Sequence, residues 1–250
     1  KRSHLLDFLC FPKESYGYNN GKWGFLLSHP VKNPRHDIAA VSHQFQVLNQ
    51  LGIEYKDSYG LELWPTAKDR KAVKTLCDSE WLGNARNIIG INLAASEKWE
   101  TKNWPIEYIA KLCDMLAGQN IRVVITGMEK DRALSQKLLS LAQSKPAVVI
   151  GKTTILELAV LIKMCKVFIT PDSSPMHIAA SMGVPFIVFF GPTDSRRHLP
   201  PAKKYHVFER KLECAPCYST RCKIMTHVCM KEIKVEDVFN KTLELMKIKS

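Results

Sequence analysis

The sequence predicts an α/β protein built on a doubly wound parallel sheet, and three observations carry that prediction. From residue 86 onward, short apolar runs alternate with helix-length amphipathic segments, the pattern of repeated β-α-β units. The runs are almost continuously apolar, as strands covered on both faces are. Polar and charged residues gather just after the runs, at the strand ends where open parallel sheets bind ligands.

Residues 1–34 contain turn-rich pieces, notably the segment from Glu14 to Gly24, and a short apolar run Phe25-Leu26-Leu27. The opening Leu5-Leu6-Asp7-Phe8-Leu9 resembles the first half of a secretory signal, but Asp7 interrupts it and Pro12 ends it. Ile38, Val41, Phe45 and Leu48 recur at helical spacing before the stop at Gly52. A second helix is expected over Ala67–Cys77 behind Thr66 as cap, with Val73 and Leu76 as its apolar side. Residues 1–85 therefore read as a partial first domain of helices and loops with few strands.

The regular alternation begins at 86. It gives strand Ile88–Leu93, helix Pro105–Ala117, strand Ile121–Thr126, helix Glu129–Ala142, strand Ala147–Ile150 and helix Thr154–Met164. Ile109, Leu112, Cys113 and Leu116 make one apolar stripe, and Leu134, Leu138 and Leu141 another. The segment Lys166–Asp194 follows, with a strand over Val167–Thr170, a polar turn, a helix from Pro175 and a strand over Pro185–Phe190 stopped by Gly191-Pro192. Residues 86–234 form the second domain, and a helix over Val235–Ile248, within 235–250, closes the chain.

Composition narrows the function. The formal charge is +12, of which +3 lies in residues 1–88 and +9 in the rest, which suggests an anionic partner. No nucleic-acid-binding signature accompanies the charge, so phosphorylated small molecules or an anionic membrane surface are the expected partners and nucleic acid is not. No run approaches the roughly 18 apolar residues of a spanning helix. A soluble, intracellular protein is expected. A G-x-G-x-x-G turn and a P-loop are both missing, which argues against a nicotinamide dehydrogenase or an ATPase.

The strand ends supply the chemistry. They carry Ala94-Ala95-Ser96 and Lys102-Asn103-Trp104-Pro105, then Gly127-Met128-Glu129, then Gly151-Lys152-Thr153-Thr154. The last two carry Asp172-Ser173-Ser174-Pro175-Met176-His177 and Gly191-Pro192-Thr193-Asp194 with Arg196 and Arg197. Pro175 suits a helix's first turn, so the amides of Ser173 and Ser174 and the positive end of the helix dipole form an anion site. Small residues, hydroxyls, a lysine, a helix start and an acid suited to a ribose diol describe a nucleotide-diphosphate pocket better than a metal or nucleophile site. Taken singly, Asp172 is equally an N-cap, His177 a surface histidine, Lys102 a solvated lysine and Glu129 a first-turn helix acid.

Of eight cysteines, Cys10, Cys77, Cys113 and Cys165 read as small core residues. Cys214, Cys217, Cys222 and Cys229 cluster with His227 nearby. Their C-x2-C-x4-C-x6-C spacing does not match common zinc ribbons, and a packed, mostly reduced cluster or one disulfide is the expected state, with zinc as the alternative.

Ser96 with the Lys102-Asn103-Trp104-Pro105 block, Thr126-Gly127-x-Glu129, the run from Asp172 to His177, the turn from Gly191 to Asp194 and the cysteine run together resemble glycosyltransferase family nine. Its members include the heptosyltransferases of the lipopolysaccharide inner core, and the heptosyltransferase II branch is the nearest likeness. The resemblance covers most of 86–234 and extends faintly to Tyr16-Gly17-Tyr18 and the run Leu26-Leu27-x-His29. It implies a GT-B architecture of two Rossmann-like domains, the first incomplete here, with the donor held by the second.

The resemblance also implies inverting, metal-independent transfer of a heptose from ADP-heptose to a lipid-linked oligosaccharide at the inner membrane face, with no cofactor. The enzyme would be a monomer, cytoplasmic or peripheral at that membrane. By position, Lys102 would be the catalytic cation that neutralises the diphosphate, Glu129 would take the ribose hydroxyls, and Ser173 and Ser174 would hold phosphate oxygens. Asp172 would bind sugar hydroxyls and His177 would support the phosphate end, with Ser96 and Thr153 also lining the substrate site. Two departures stand out. Ala95-Ser96 replaces a pair of threonines found in some members, and no glycine-aspartate pair opens the chain to supply the acceptor's base, so the chain is expected to lack a leading segment. The competing expectations are a nucleotide-sugar-binding module without transfer activity and a GT-B sugar-nucleotide epimerase.

Overall fold

A computed structural model of the chain describes residues 2–247 apart from 20, 22, 33–37, 57–58, 81 and 84. Asn20, Lys22, His36, Asp37, Asn84 and Ile248, all within segments read above, lie outside the described residues. The chain forms two compact units, Lys1–Tyr59 with Arg196–Pro201, and Gly60–Ser195 with Ala202–Ser250.

The first unit begins with α1 (Arg2–Leu9), so the opening run is a helix despite Asp7. Strands β1 (Tyr16–Asn19) and β2 (His29–Lys32) pair in parallel, a small sheet that turn-rich sequence concealed. Ser15 and Ser28 clamp its start by reciprocal bonds, each amide donating to the other's hydroxyl at 2.7 and 3.0 Å. Helix α2 (Ala40–Leu48) follows and ends at Gly52, whose φ of 73° needs a residue without a Cβ. Cys10 is exposed just past α1 and is not a core residue.

The second unit opens with α3 (Ala67–Ser79), started by the capping box of Thr66 and Asp69. Then come β3 (Ile88–Asn92), α4 (Ile106–Ala117), β4 (Arg122–Thr126), α5 (Arg132–Leu141), β5 (Ala147–Val148) and α6 (Ile155–Met164). The chain continues through β6 (Val167–Pro171), α7 (Ser174–Ser181), β7 (Phe186–Phe190) and α8 (Ser195–His198). It closes with β8 (Tyr205–Glu209), α9 (Val228–Lys231) and α10 (Val235–Lys247). All six strands are parallel, in the order β5-β4-β3-β6-β7-β8. The chain winds outward from β3 to β5 and then returns to lay β6 on the other side of β3. The sheet's direction of winding therefore reverses between β3 and β6.

The central strands are buried throughout, which is why they read as apolar runs without alternation. One face packs on α4 and α10 through Ile89, Ile91, Leu112, Leu116, Val238 and Leu245. The other packs on α3 and α6 through Val73, Cys77, Leu161 and Cys165. Because α3 lies against α6, residues 60–85 group with the sheet, and the break falls at Tyr59 rather than at the composition change near 85. Burial pushes the Cys113 thiol up to about 12.

Three elements depart from the expected pattern. The helix expected from Glu129 starts as a 3-10 turn because the Asp131 carboxylate accepts from the Met128 amide at 2.8 Å, and α5 begins only at Arg132. Strand β5 keeps two residues, and β8 (Tyr205–Glu209) lies in sequence from which no strand is expected.

At Gly90, inside β3, the sheet has no room for a side chain. A Cβ there would lie 2.5 Å from the Phe168 ring, a rigid neighbour inside the core. Gly90→Ala is expected to destabilise the fold by roughly 1–3 kcal/mol through overpacking, read as a lower urea midpoint with an unchanged slope. A midpoint equal to the parent's would show that Phe168 can move aside.

Candidate functional site

The switch between β3 and β6 is where a doubly wound sheet opens a crevice at its carboxyl edge. The loop after β3 and the loop after β6 meet there. Lys102 Nζ lies 2.7 Å from Asp172 Oδ2, across that crevice, with side-chain exposures of 13% and 6%. Two charges so far withdrawn from water must satisfy each other.

Each partner is held by its own loop. On the lysine side, Asn103 Oδ1 accepts from the Ala95 amide at 2.7 Å and closes the loop. Trp104 is buried, stacks on Phe189 at 4.8 Å and donates from Nε1 to the Ile233 carbonyl at 3.1 Å. Pro105 then precedes α4 as its N-cap. The Lys-Asn-Trp-Pro block thus has a physical reading residue by residue: a cation, a loop closure, a core anchor and a helix start. The Trp99 ring lies 4.7 Å from Lys102 Nζ and adds a cation–π contact.

On the aspartate side, the Asp172 amide extends the ladder to Phe189 O at 3.2 Å, fixing the residue at the end of β6. Its Oδ2 also accepts from Thr193 Oγ1 at 2.7 Å. Asp172 is therefore not the cap of α7. Ser173 takes the N-cap position, yet its hydroxyl turns back to Pro171 O and Thr170 Oγ1, both at 3.1 Å. Asn92 Nδ2 donates to Ala94 O at 2.7 Å and reaches Ser173 Oγ at 3.4 Å, tying β3 to β6. Among the described residues, none accepts from the amides of Ser173 or Ser174. Pro175, in the first turn, has no N–H to satisfy. Two open amides and the positive end of α7 thus lie directly beside the ion pair.

The structure brings Lys102, Asp172 and Ser173 together, with Ser174 and the half-buried His177 on the same helix start. Ser96, Glu129 and Thr153 sit on the same edge, after β3, β4 and β5, but no hydrogen bond among the described residues joins them to that group. Glu129 is instead forked by Arg132, Nε to Oε1 at 2.6 Å and Nη2 to Oε2 at 2.7 Å, which holds its carboxyl below the usual range. Gly151, at φ 69°, passes so close that a Cβ would meet the Glu129 carboxylate at 2.3 Å. Asn92, Trp99, Thr170 and Thr193 join the site without having been singled out from the sequence. Thr193 stood in a turn flagged for its glycine and proline, and a hydroxyl partner for Asp172 has no signal at the level of spacing.

Breaking a buried pair on one side strands the other charge, whereas replacing both partners need not cost much. Asp172→Asn and Lys102→Met are each expected to destabilise the chain by about 3 kcal/mol, with the double variant recovering most of that loss in urea unfolding. Additive losses would show that the two side chains do not depend on each other.

The profile of Glycosyltransferase family 9 (heptosyltransferase) matches residues 11–227. A lipooligosaccharide heptosyltransferase 2 of Campylobacter jejuni is 33% identical over 174 residues, covering 66% of this chain and 53% of the relative. The chain thus spans about half the length of that relative. The solved structure of a family 9 glycosyl transferase from Veillonella parvula superimposes with a TM-score of 0.84 at 23% identity, covering 98% of this chain and 70% of the other. That of Escherichia coli ADP-heptose lipopolysaccharide heptosyltransferase II gives 0.76 at 20% identity, with 98% and 73% covered. These two likenesses establish the GT-B fold, and the profile match across most of the residues places the chain in glycosyltransferase family 9.

Proposed function

We propose that this chain carries the donor half of a heptosyltransferase, binding an ADP-sugar at the β3–β6 switch point. The observation that carries the reading is the Lys102–Asp172 pair set beside two unclaimed amides at the start of α7. A diphosphate offers Lys102 a stronger, doubly charged partner than a single carboxylate, and it satisfies the Ser173 and Ser174 amides at the same time. Asp172, released from the lysine but still oriented by Thr193, is then free to accept hydroxyl hydrogens of the sugar. His177 supports the phosphate end. Glu129 exchanges Arg132 for the ribose diol, an exchange its exposure permits, and Ser96 and Thr153 line the remaining edge.

The proposed reaction is inverting transfer. An acceptor hydroxyl oxygen attacks the anomeric carbon, the bond from that carbon to the diphosphate oxygen breaks, and the electron pair leaves with ADP. Negative charge grows on the leaving oxygen, where Lys102 and the α7 amides are preorganised to meet it. The switch-point carboxylate is committed to binding, so the acceptor's proton goes to a base outside this group. For the acceptor we favour a phosphorylated or acidic lipid-linked oligosaccharide at the inner face of the membrane, which the net charge of +12 suits. Among the described residues no helix is long and apolar enough to cross a membrane.

Calorimetric titration with ADP tests the site. Lys102→Ala is expected to weaken ADP roughly tenfold or more, by loss of a charge-assisted contact, and to flatten the dependence of affinity on salt. ADP affinity and salt dependence equal to the parent's in the variant would remove the diphosphate from this site.

A further inference from the structure

The cysteine-rich segment between β8 and α9 touches both supports of the ion pair. Thr101, the residue before Lys102, is buried and donates from Oγ1 to the Ser219 carbonyl at 2.8 Å. Its own carbonyl receives a bond from His227 Nε2 at 2.7 Å. A carbonyl only accepts, so Nε2 is the donor in this contact. On the aspartate side, the Tyr218 amide donates to the Pro192 carbonyl at 2.7 Å, one residue before Thr193, whose hydroxyl holds Asp172.

His227 is itself tightly placed. It sits at φ 52°, in the left-handed region that a non-glycine residue occupies at a cost and keeps only where its surroundings fix it. Its amide donates to Cys222 Sγ at 3.4 Å, and its carbonyl accepts from Met230 and Lys231 at 3.2 and 3.1 Å at the start of α9. Between the segment and the site turns lies a cavity of about 340 Å³, bounded by Thr101, Pro192, His227 and the four clustered cysteines, all of them free thiols. Across this region the segment meets Thr101 through the bond to the Ser219 carbonyl and the bond from His227.

We infer that His227 is a positioning residue for donor binding: by holding the Thr101 carbonyl it sets where the Lys102 ammonium stands over the diphosphate position. This rests on the donor-site reading above. It assigns to the cysteine-rich segment a role in setting the lysine, apart from any state of its thiols.

The test measures ADP affinity of the 250-residue chain by calorimetry in two backgrounds, with melting temperature followed alongside. His227→Ala is expected to weaken ADP roughly three- to tenfold, the range of one hydrogen bond. His227→Gln, which keeps a donor at similar reach, stays within about twofold of the parent. In the Lys102→Ala background His227→Ala produces no further loss, because its effect passes through the lysine. A general structural role would weaken ADP equally in both backgrounds, and that result overturns the inference, as does unchanged affinity in His227→Ala or a loss in His227→Gln equal to that in His227→Ala. Should His227→Ala fail to fold, His227→Phe, which fills the same place without a donor, is expected to give the same background-dependent loss, and a loss equal in both backgrounds or an affinity equal to the parent's overturns the inference. If Lys102→Ala itself binds ADP like the parent, the donor-site reading fails first, and the inference falls with it.

Discussion

A lysine and an aspartate drawn almost entirely out of water can remain charged only by facing each other, and the second unit is arranged so that they do. Lys102 and Asp172 come from loops 70 residues apart, and their 2.7 Å contact exists because β3 and β6 are neighbours in the sheet. That adjacency follows from the reversal of winding, with the chain going out through β4 and β5 before returning beside β3. Everything that fixes the strand order therefore fixes the pair: the buried apolar faces of β3 and β6, and Gly90, which lets Phe168 approach. The pair contributes little to net stability compared with an apolar filling of the same volume. On the donor-site reading we propose, its use lies in holding a cation at the mouth of a parallel sheet until an anion with more oxygens arrives.

Much of this was legible in the residues themselves. Buried parallel strands read as unbroken apolar runs, so Ile88–Asn92, Val167–Pro171 and Phe186–Phe190 were located closely. A helix with both a cap and an apolar side was equally clear, as at Thr66 before α3, because caps act within three residues. Lys102, Asp172 and Ser173 could be expected near one another for the same reason: the topology of such sheets dictates where polar residues meet.

What escaped depends on contacts that spacing does not encode. The bond from Thr193 to Asp172 joins two strand ends through side-chain directions alone. Glu129 reads as an open acid, but its partner Arg132 lies one turn on, where any basic residue would look like ordinary helix surface. Strands β1, β2 and β8 are four or five residues long and only partly buried, too short for a period-two pattern to stand out. The cysteine-rich segment has almost no regular structure. It meets the site loops through three hydrogen bonds, two of them to backbone atoms of Thr101 and Pro192, which no residue type announces.

The account stands or falls on whether the ion pair opens for a diphosphate. A crystal structure of the chain with ADP bound measures this directly. The account predicts that Lys102 Nζ leaves Asp172 Oδ2 and sits about 2.8 Å from a phosphate oxygen, with other phosphate oxygens on the amides of Ser173 and Ser174. An ADP complex in which the pair keeps its 2.7 Å contact and the phosphates lie elsewhere along the sheet edge would contradict it.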